Sequence, residues 1–134
     1  MTLHFSLTGN RKLNDSDNHI KIGAYVYPGW HACSERDSKF PAGWSEWDLV
    51  LNAPKRFPDH NQPRLPVDGP YDDSVPSTAN KQVGLARKYG VDFFVHSCFW
   101  SRGKRVFEAA LDDGFLGADG GGDFPFSLMW ANRM

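Results

Sequence analysis

The sequence predicts an α/β fold in which parallel strands alternate with covering helices. Three apolar strand candidates follow one another, at His19–Tyr27, Val91–Val95 and Phe124–Trp130, and all are rich in β-branched and aromatic residues. Stretches with helix signals, Ser77–Tyr89 and Lys104–Asp113, precede the second and third of these strands. The resulting β-α-β-α-β order is typical of a parallel sheet whose crossover connections are helices.

Both predicted helices carry signals for where they begin and end. Pro76 lies near the first turn of the first helix and Gly90 follows its last turn, the usual positions of these two residues. The first helix is expected to bury one face formed by Ala79, Val83, Ala86 and either Tyr89 or Gly90. The second is expected to bury four apolar residues, Val106, Phe107, Ala110 and Leu111, and to stop at Gly114.

A long segment, residues 30–76, separates the first strand from the first helix and shows no sustained helix or strand period. Pro28-Gly29 ends the strand abruptly. Aromatic residues such as Trp44 argue for an ordered, functional loop rather than a disordered one, because disordered segments lack such anchors. Ser45–Val50 is predicted to form one short helical turn. Residues 1–18 are polar and mixed, and we interpret them as a loosely ordered lead-in to a domain at 19–134.

Composition narrows the classes of partner. The chain has 15 basic and 16 acidic residues, and this balance argues against a nucleic acid or an anionic membrane as partner. Arg102, Lys104 and Arg105 form the one local basic cluster, which we interpret as a solvated helix start rather than a phosphate site. No stretch reaches the roughly 18 apolar residues of a membrane span, and no signal-peptide core is present, so a cytoplasmic protein is expected.

Aromatic residues make up 14% of the chain, including five tryptophans. Two explanations fit so many tryptophans: they pack a core, or their flat faces stack on the C–H faces of sugar rings in a binding cleft. Ligands of parallel sheets gather at the carboxyl ends of strands, and these ends carry aromatic, imidazole and amide groups: Tyr27, Trp30 and His31, then His96, Phe99 and Trp100, then Trp130 and Asn132. Because several tryptophans lie beside Gly, Pro or Glu in loops, we favour the cleft.

Five segments in one order carry a resemblance to a known family: Tyr25–His31, Gly43–Trp47, Pro58–Pro66, Gly69–Asp72 and Trp130–Asn132. Over about residues 20–132 the chain resembles the amino-terminal portion of the WbsX-like domain, also described as glycoside hydrolase family 99-like. The resemblance implies an incomplete (β/α)₈ TIM-type barrel, namely its first three βα units with a long ordered loop after the first strand. It also implies an enzyme that cleaves or transfers glycosidic bonds in mannose-like or bacterial polysaccharide sugars.

Strand-end position and the resemblance together indicate eleven substrate-binding residues: Tyr27, Trp30, His31, Glu46, Trp47, His60, Gln62, Tyr71, Trp100, Trp130 and Asn132. The catalytic acids are unknown, because the family places them on later strands. Glycoside hydrolysis generally needs two carboxyl groups. For Glu46 we therefore favour a sugar-hydroxyl acceptor, or an anchor to Arg64, over a general acid. Asp72 and Asp73 are expected to cap the following helix.

Several alternatives stay open. The chain is expected to be inactive alone, as part of a larger enzyme, but it could instead be a standalone carbohydrate-binding or interaction module, or a truncated reading frame. An uncovered sheet edge would allow self-association. Two His-x-Cys pairs, His31 with Cys33 and His96 with Cys98, form a weak rival zinc hypothesis. Phosphate-loop and dinucleotide motifs are absent, so no cofactor and no resident metal are expected.

Overall fold

The computed structural model describes residues 20–37 and 39–131. The elements along them are β1 (Gly23–Val26), α1 (Glu46–Leu51), α2 (Pro76–Lys88), β2 (Phe93–Ser101), β3 (Lys104–Val106), a π-helix (Ala110–Phe115) and β4 (Phe126–Ala131). The lead-in predicted at 1–18 lies outside the described residues. Within the described part of the chain, no helix is both long and apolar enough to cross a membrane.

The four strands form one open sheet with β2 at its centre. β2 pairs in parallel with β1 and with β4, and it pairs antiparallel with β3. Phe99 is in register both with Ala131 of β4 and with Val106 of β3. These two strands therefore lie on opposite edges of β2, and β3 continues the β1 edge beyond the end of that strand. The predicted α/β class with parallel strands is confirmed.

One face of the sheet is covered by helices. Ala24 and Val26 of β1 pack with Phe94 of β2 against a buried cluster from α2, the π-helix and the segment before β4: Ala79, Val83, Ala86, Leu111, Phe115, Ala118 and Phe124. The predicted buried face of the first helix is confirmed for Ala79, Val83 and Ala86, whereas Tyr89 and Gly90 are exposed. Because side chains alternate along a strand, Phe93 and Val95 point to the other face together with Tyr25, their neighbour in β1.

The prediction of a helix at Lys104–Asp113 is wrong over its first residues. Lys104–Val106 is strand β3, and Arg102 and Gly103 form the two-residue turn that connects it to β2. Both turn residues have positive φ, 49° and 78°, as a type I′ hairpin turn requires. Phe107 also has positive φ, 62°, so helical geometry begins only after it.

Gly114 does not stop the second helix as predicted. It lies inside the π-helix, where Leu116 N donates to Leu111 O five residues earlier at 2.8 Å. A Cβ atom added at Gly114 would lie 2.1 Å from the carbonyl oxygen of Asp73. The glycine therefore permits a close approach between this helix and the backbone before α2, and a side chain there would force the two apart.

His96 of β2 is buried on the helix-covered face. Its ring lies among Phe94, Phe115 and Phe126, at centroid distances of 6.1, 4.6 and 5.9 Å. Neither ring nitrogen finds a hydrogen-bond partner among the described residues. Burial lowers the pKa of His96 from its usual 6.5 to about 4, since an apolar site disfavours the charged imidazolium. The ring is therefore neutral at pH 7 and packs as an apolar group.

We predict that His96 makes folding stability sensitive to acid. Its folded-state pKa lies below the unfolded value, so the unfolded chain binds a proton between pH 6.5 and 4, and stability falls as pH drops through that window. Going from pH 7 to pH 4.5 should cost about 2 kcal/mol through this group. Urea unfolding of wild type and of His96→Leu at both pH values measures it. An equal loss of unfolding free energy between pH 7 and pH 4.5 in both proteins would contradict the role of His96. His60→Leu is the control and should lose as much as wild type.

Replacing Gly84 of α2 or Gly90 just after it by alanine should change the free energy of unfolding in opposite directions. Gly84 lies mid-helix, where an added Cβ atom meets nothing within 4 Å, while Gly90 just past the helix has φ of +78°. Gly84→Ala should raise the free energy of unfolding by about 0.5–1 kcal/mol, because glycine is the poorer helix former. Gly90→Ala should lower it by about 1 kcal/mol, because alanine is strained at positive φ. Thermal unfolding measures both, and a shift of the same sign in the two variants would refute this account.

Candidate functional site

The end of β1 and the start of α1 are held together at the carboxyl edge of the sheet. Gly29 O accepts a hydrogen bond from Glu46 N at 3.1 Å. A Cβ atom at Gly29 would lie 2.3 Å from the Tyr27 ring and 2.9 Å from Glu46 Cγ. Only glycine therefore lets these two side chains meet beside the strand end. Ser45 caps α1 through a capping box with Asp48, and the predicted helical turn at 45–50 is confirmed.

Tyr27, Arg36 and Glu46 form a hydrogen-bonded polar group at this edge. Tyr27 Oη donates to Glu46 Oε1 at 3.0 Å, and Arg36 Nη2 donates to the same oxygen at 2.7 Å. Burial raises the pKa of the Tyr27 hydroxyl, and its bond to Glu46 raises it further. The guanidinium lies 4.5 Å from the ring centroids of Trp44 and Phe107. Glu46 is therefore anchored by Arg36. The predicted anchor to Arg64 is wrong.

Three aromatic residues pack beside this polar group. The rings of Trp30 and Trp47 are 4.3 Å apart, and Tyr71 lies 6.0 Å from Trp30 and 5.1 Å from Trp47. Trp47 Nε1 donates to Tyr71 O at 2.6 Å, and this tryptophan is buried. Tyr27, Trp30 and Tyr71 instead line an apolar groove of about 510 Å³ between β1 and α2. Trp47 is not among the residues that line this groove.

His31 and Asp73 form a buried pair behind the aromatic residues. His31 Nδ1 lies 2.5 Å from Asp73 Oδ1, and Asp73 Oδ2 accepts from Trp30 N at 3.3 Å. The hydrogen bond to Asp73 raises the pKa of His31, against the opposing effect of burial. The expected helix-capping role of Asp73 is wrong: Val75 is the N-cap residue of α2 and has no side-chain cap bond. Asp72 accepts from Ser74 N in a local turn.

His60 and Gln62 are engaged locally in the long loop. The His60 ring stacks on Phe57 at 4.5 Å, and its Nδ1 accepts from Arg56 N at 3.2 Å. Gln62 N donates to His60 O, and Gln62 precedes a cis peptide bond to Pro63. Within 20–37 and 39–131, no side-chain hydrogen bond or ring contact joins His60 or Gln62 to Tyr27, Arg36 or Glu46. Their substrate-binding role stays a prediction.

Trp100 and Trp130 stack on each other with ring centroids 5.8 Å apart. Along β2, Trp100 alternates in step with Phe94 and His96, and Trp130 of β4 is in register with Cys98. Strand alternation therefore assigns both tryptophans to the helix-covered face. Phe99 is on the other face, where it contacts Tyr27 at 5.8 Å. Asn132 lies outside the described residues.

The two His-x-Cys pairs are committed to different surroundings. His31 is bound to Asp73, and Cys33 Sγ donates to Glu35 at 3.0 Å, while His96 lies among aromatic rings. No cluster of three or more potential ligands able to hold a metal ion occurs within 20–37 and 39–131. The arrangement gives the zinc hypothesis no support.

Sequence reasoning missed Arg36, Asp73 and Phe107 as members of this edge. Arg36 and Asp73 lie in irregular segments with no motif spacing, and their partners are 10 and 42 residues away. The helix predicted at Lys104–Asp113 includes Phe107, whereas in the structure Phe107 follows β3 and contacts Tyr27 at 6.4 Å. A readable signal was the Arg102-Gly103 turn, which would have brought Phe107 back to the β1 edge.

We predict that Asp73→Asn lowers the pKa of His31, since that hydrogen bond is the largest cause of its elevation. Asp72→Asn is the matched control and should lower it far less. Because the folded pKa is raised, the stabilisation is complete below about pH 6.5 and is lost as pH rises through the folded pKa. NMR titration of the His31 ring protons and unfolding at several pH values measure both effects. Equal shifts in the two variants would contradict the pairing.

Comparisons with known proteins show the family of this chain. The family model described as "Glycosyltransferase WbsX" matches residues 22–134. Two relatives, each called "Uncharacterized protein WxcX" and from Xanthomonas campestris pv. campestris strains B100 and ATCC 33913, are 36% identical over 111 residues. The match covers 82% of this chain but only 16% of each relative. No solved structure matches. The chain belongs to the WbsX glycosyltransferase family.

Proposed function

We propose that this chain forms part of the saccharide-binding surface of an enzyme that cleaves or transfers glycosidic bonds. The observation that carries the proposal is the Tyr27–Arg36–Glu46 polar group together with its aromatic neighbours. The Tyr27 ring lies at right angles to Trp30 at 6.4 Å, and Trp30 lies 6.0 Å from Tyr71. Binding sites for small molecules are mostly apolar with a few convergent polar groups. A pyranose offers C–H faces for the aromatic rings and hydroxyls for the carboxylate and the guanidinium. Mannose-like or bacterial polysaccharide sugars are the proposed ligands.

The proposed fold of the complete enzyme is a glycoside hydrolase family 99-like (β/α)₈ barrel. Two features support it. The parallel strands are arranged in chain order, with β1 beside β2 and β2 beside β4. Both connecting helices, α2 and the π-helix, pack on the same face of the sheet, as in barrels, whereas doubly wound sheets carry helices on both faces.

Within this enzyme, Glu46 is proposed to accept a sugar hydroxyl rather than to donate a proton. Its Oε1 already accepts from Tyr27 and Arg36, and hydrolysis needs two carboxyl groups roughly 5–9.5 Å apart. The acids of catalysis are therefore proposed to come from the part of the enzyme beyond this match, which covers only 16% of the curated relatives. The chain alone is proposed to bind without turnover.

A carbohydrate-binding module is the second candidate function. It is favoured by one observation, that Glu46 is joined to a cation and a phenol rather than to a second carboxyl group. Saccharide binding without any glycosidic turnover by the longer protein that contains this domain would favour the module. Turnover by that protein would favour the enzyme.

Glu46→Gln and Tyr27→Phe should each weaken saccharide binding about tenfold, because each removes or weakens a hydrogen bond that involves a charged group. The matched control is Asp119→Asn, which changes an exposed carboxylate after the π-helix. This variant should bind within about twofold of wild type. Glycan-array screening followed by titration calorimetry measures the affinities, and circular dichroism checks folding. Folded Glu46 and Tyr27 variants with wild-type affinity would refute the assignment.

A further inference from the structure

A polar cavity, separate from the apolar groove between β1 and α2, lies where the loop after β1 meets the β2–β3 hairpin. Its volume is about 330 Å³. We call it the basic notch, and its lining residues are Ser34, Glu35, Lys39, Ser101, Arg102 and Lys104. Ser34 and Glu35 also line a neighbouring cavity of about 180 Å³ together with His31 and Phe107. The basic notch therefore adjoins the sheet edge that carries the polar group of Tyr27, Arg36 and Glu46.

Hairpin geometry brings these cations together. Ser101 and Lys104 are paired across the end of the hairpin, and Arg102 occupies the first turn position with φ of 49°. A side chain other than glycine, asparagine or aspartate is uncommon and strained in that region. The interpretation of Arg102, Lys104 and Arg105 as a solvated helix start is wrong, because Arg102 lies in the hairpin turn and Lys104 and Arg105 lie in β3. Lys39, from another segment, lines the same cavity as Arg102 and Lys104.

Among the residues that the structure describes, the positive charge of the basic notch is mostly uncompensated. The ion pairs formed within 20–37 and 39–131 include none with Lys39, Arg102 or Lys104. Arg105, one residue further on, is paired with Asp112 at 2.8 Å. Three cations therefore face one carboxylate, that of Glu35, whose pKa is lowered chiefly by its bond from Cys33 and in smaller part by Lys104.

We propose that the basic notch binds the phosphate or diphosphate group of a ligand. A guanidinium offers paired N–H donors that match two phosphate oxygens, and lysine ammonium groups add point charges. Ser101 lines the same cavity, and its hydroxyl supplies a further donor, whereas the Ser34 hydroxyl donates to Glu35 Oε2 at 3.3 Å. This inference goes beyond the proposed saccharide surface and fails independently of it, since phosphate binding needs no sugar contact.

Titration of the full 134-residue chain with inorganic pyrophosphate tests the proposal. The double variant Arg102→Ala, Lys104→Ala should weaken pyrophosphate binding at least about tenfold, because two charge-assisted contacts are lost. The matched control, Lys81→Ala with Lys88→Ala, removes the same charge from α2 and should stay within about twofold. Glu35→Gln should tighten binding a few-fold, whereas Asp59→Asn in the outlying loop should not. All variants are checked for folding by circular dichroism.

Competition identifies the source of the phosphate. A hexose 1-phosphate that displaces pyrophosphate better than inorganic phosphate supports a sugar phosphate as the ligand, and equal displacement supports free phosphate at the same site. Glucuronate that binds as tightly as pyrophosphate would overturn the phosphate assignment, because the basic notch would then accept any oxyanion. Equal losses in the hairpin and α2 double variants, or no pyrophosphate binding by wild type, would overturn the site itself.

Discussion

Asp73 is the residue on which the carboxyl edge of the sheet depends. Its two oxygens contact His31 Nδ1 and Trp30 N, just after β1, although Asp73 itself lies just before α2. It thus closes the long loop with one buried carboxylate. Its carbonyl oxygen also lies where a side chain at Gly114 would have to go. Removing one partner of a buried charged pair leaves the other charge uncompensated, so sheet, loop and π-helix share this one constraint.

Glu46 makes a second set of contacts between the same long loop and the end of β1. Through Arg36 and Tyr27 it fixes the start of α1 against the strand end, and Trp47 one residue later enters the loop's own small core. Trp47 is therefore better suited to hold Trp30 in place than to stack on a sugar. Rigid support of this kind is what a binding surface needs, because side chains held in place before binding lose less entropy when the ligand arrives.

Local signals were sufficient for α2 and insufficient for the hairpin. Pro76, Gly90 and the spacing of the buried alanines act within one turn of the chain, so the sequence alone predicted that helix well. Val106 and Phe107 suit a helical spacing with Ala110 equally well, and only cross-strand pairing with β2 decides for a strand at Lys104–Val106. The α/β class was therefore predictable, while the turn at 102–103 was not recognised.

The candidate site was predictable only for residues beside the first strand end. Tyr27, Trp30 and His31 follow β1 directly, and the motifs place Glu46 and Tyr71 with them. Asp73 had a nearer explanation as a helix cap, and its pairing with His31 spans 42 residues. Contacts of that range depend on how the loop folds back, which composition and spacing do not encode.

The alternation of side chains along each strand decides which face of the sheet the aromatic residues at the strand ends are on. Phe99 and Trp100 are neighbours in sequence, yet Phe99 contacts Tyr27 while Trp100 stacks on Trp130 across β2 and β4. A position at a strand end therefore does not by itself bring a side chain to the cleft, because a one-residue difference reverses its face. In the proposed barrel the face of Phe99 is the interior. Trp100 and Trp130 would then pack in the layer between sheet and helices, and the saccharide surface would centre on Tyr27, Trp30 and Tyr71.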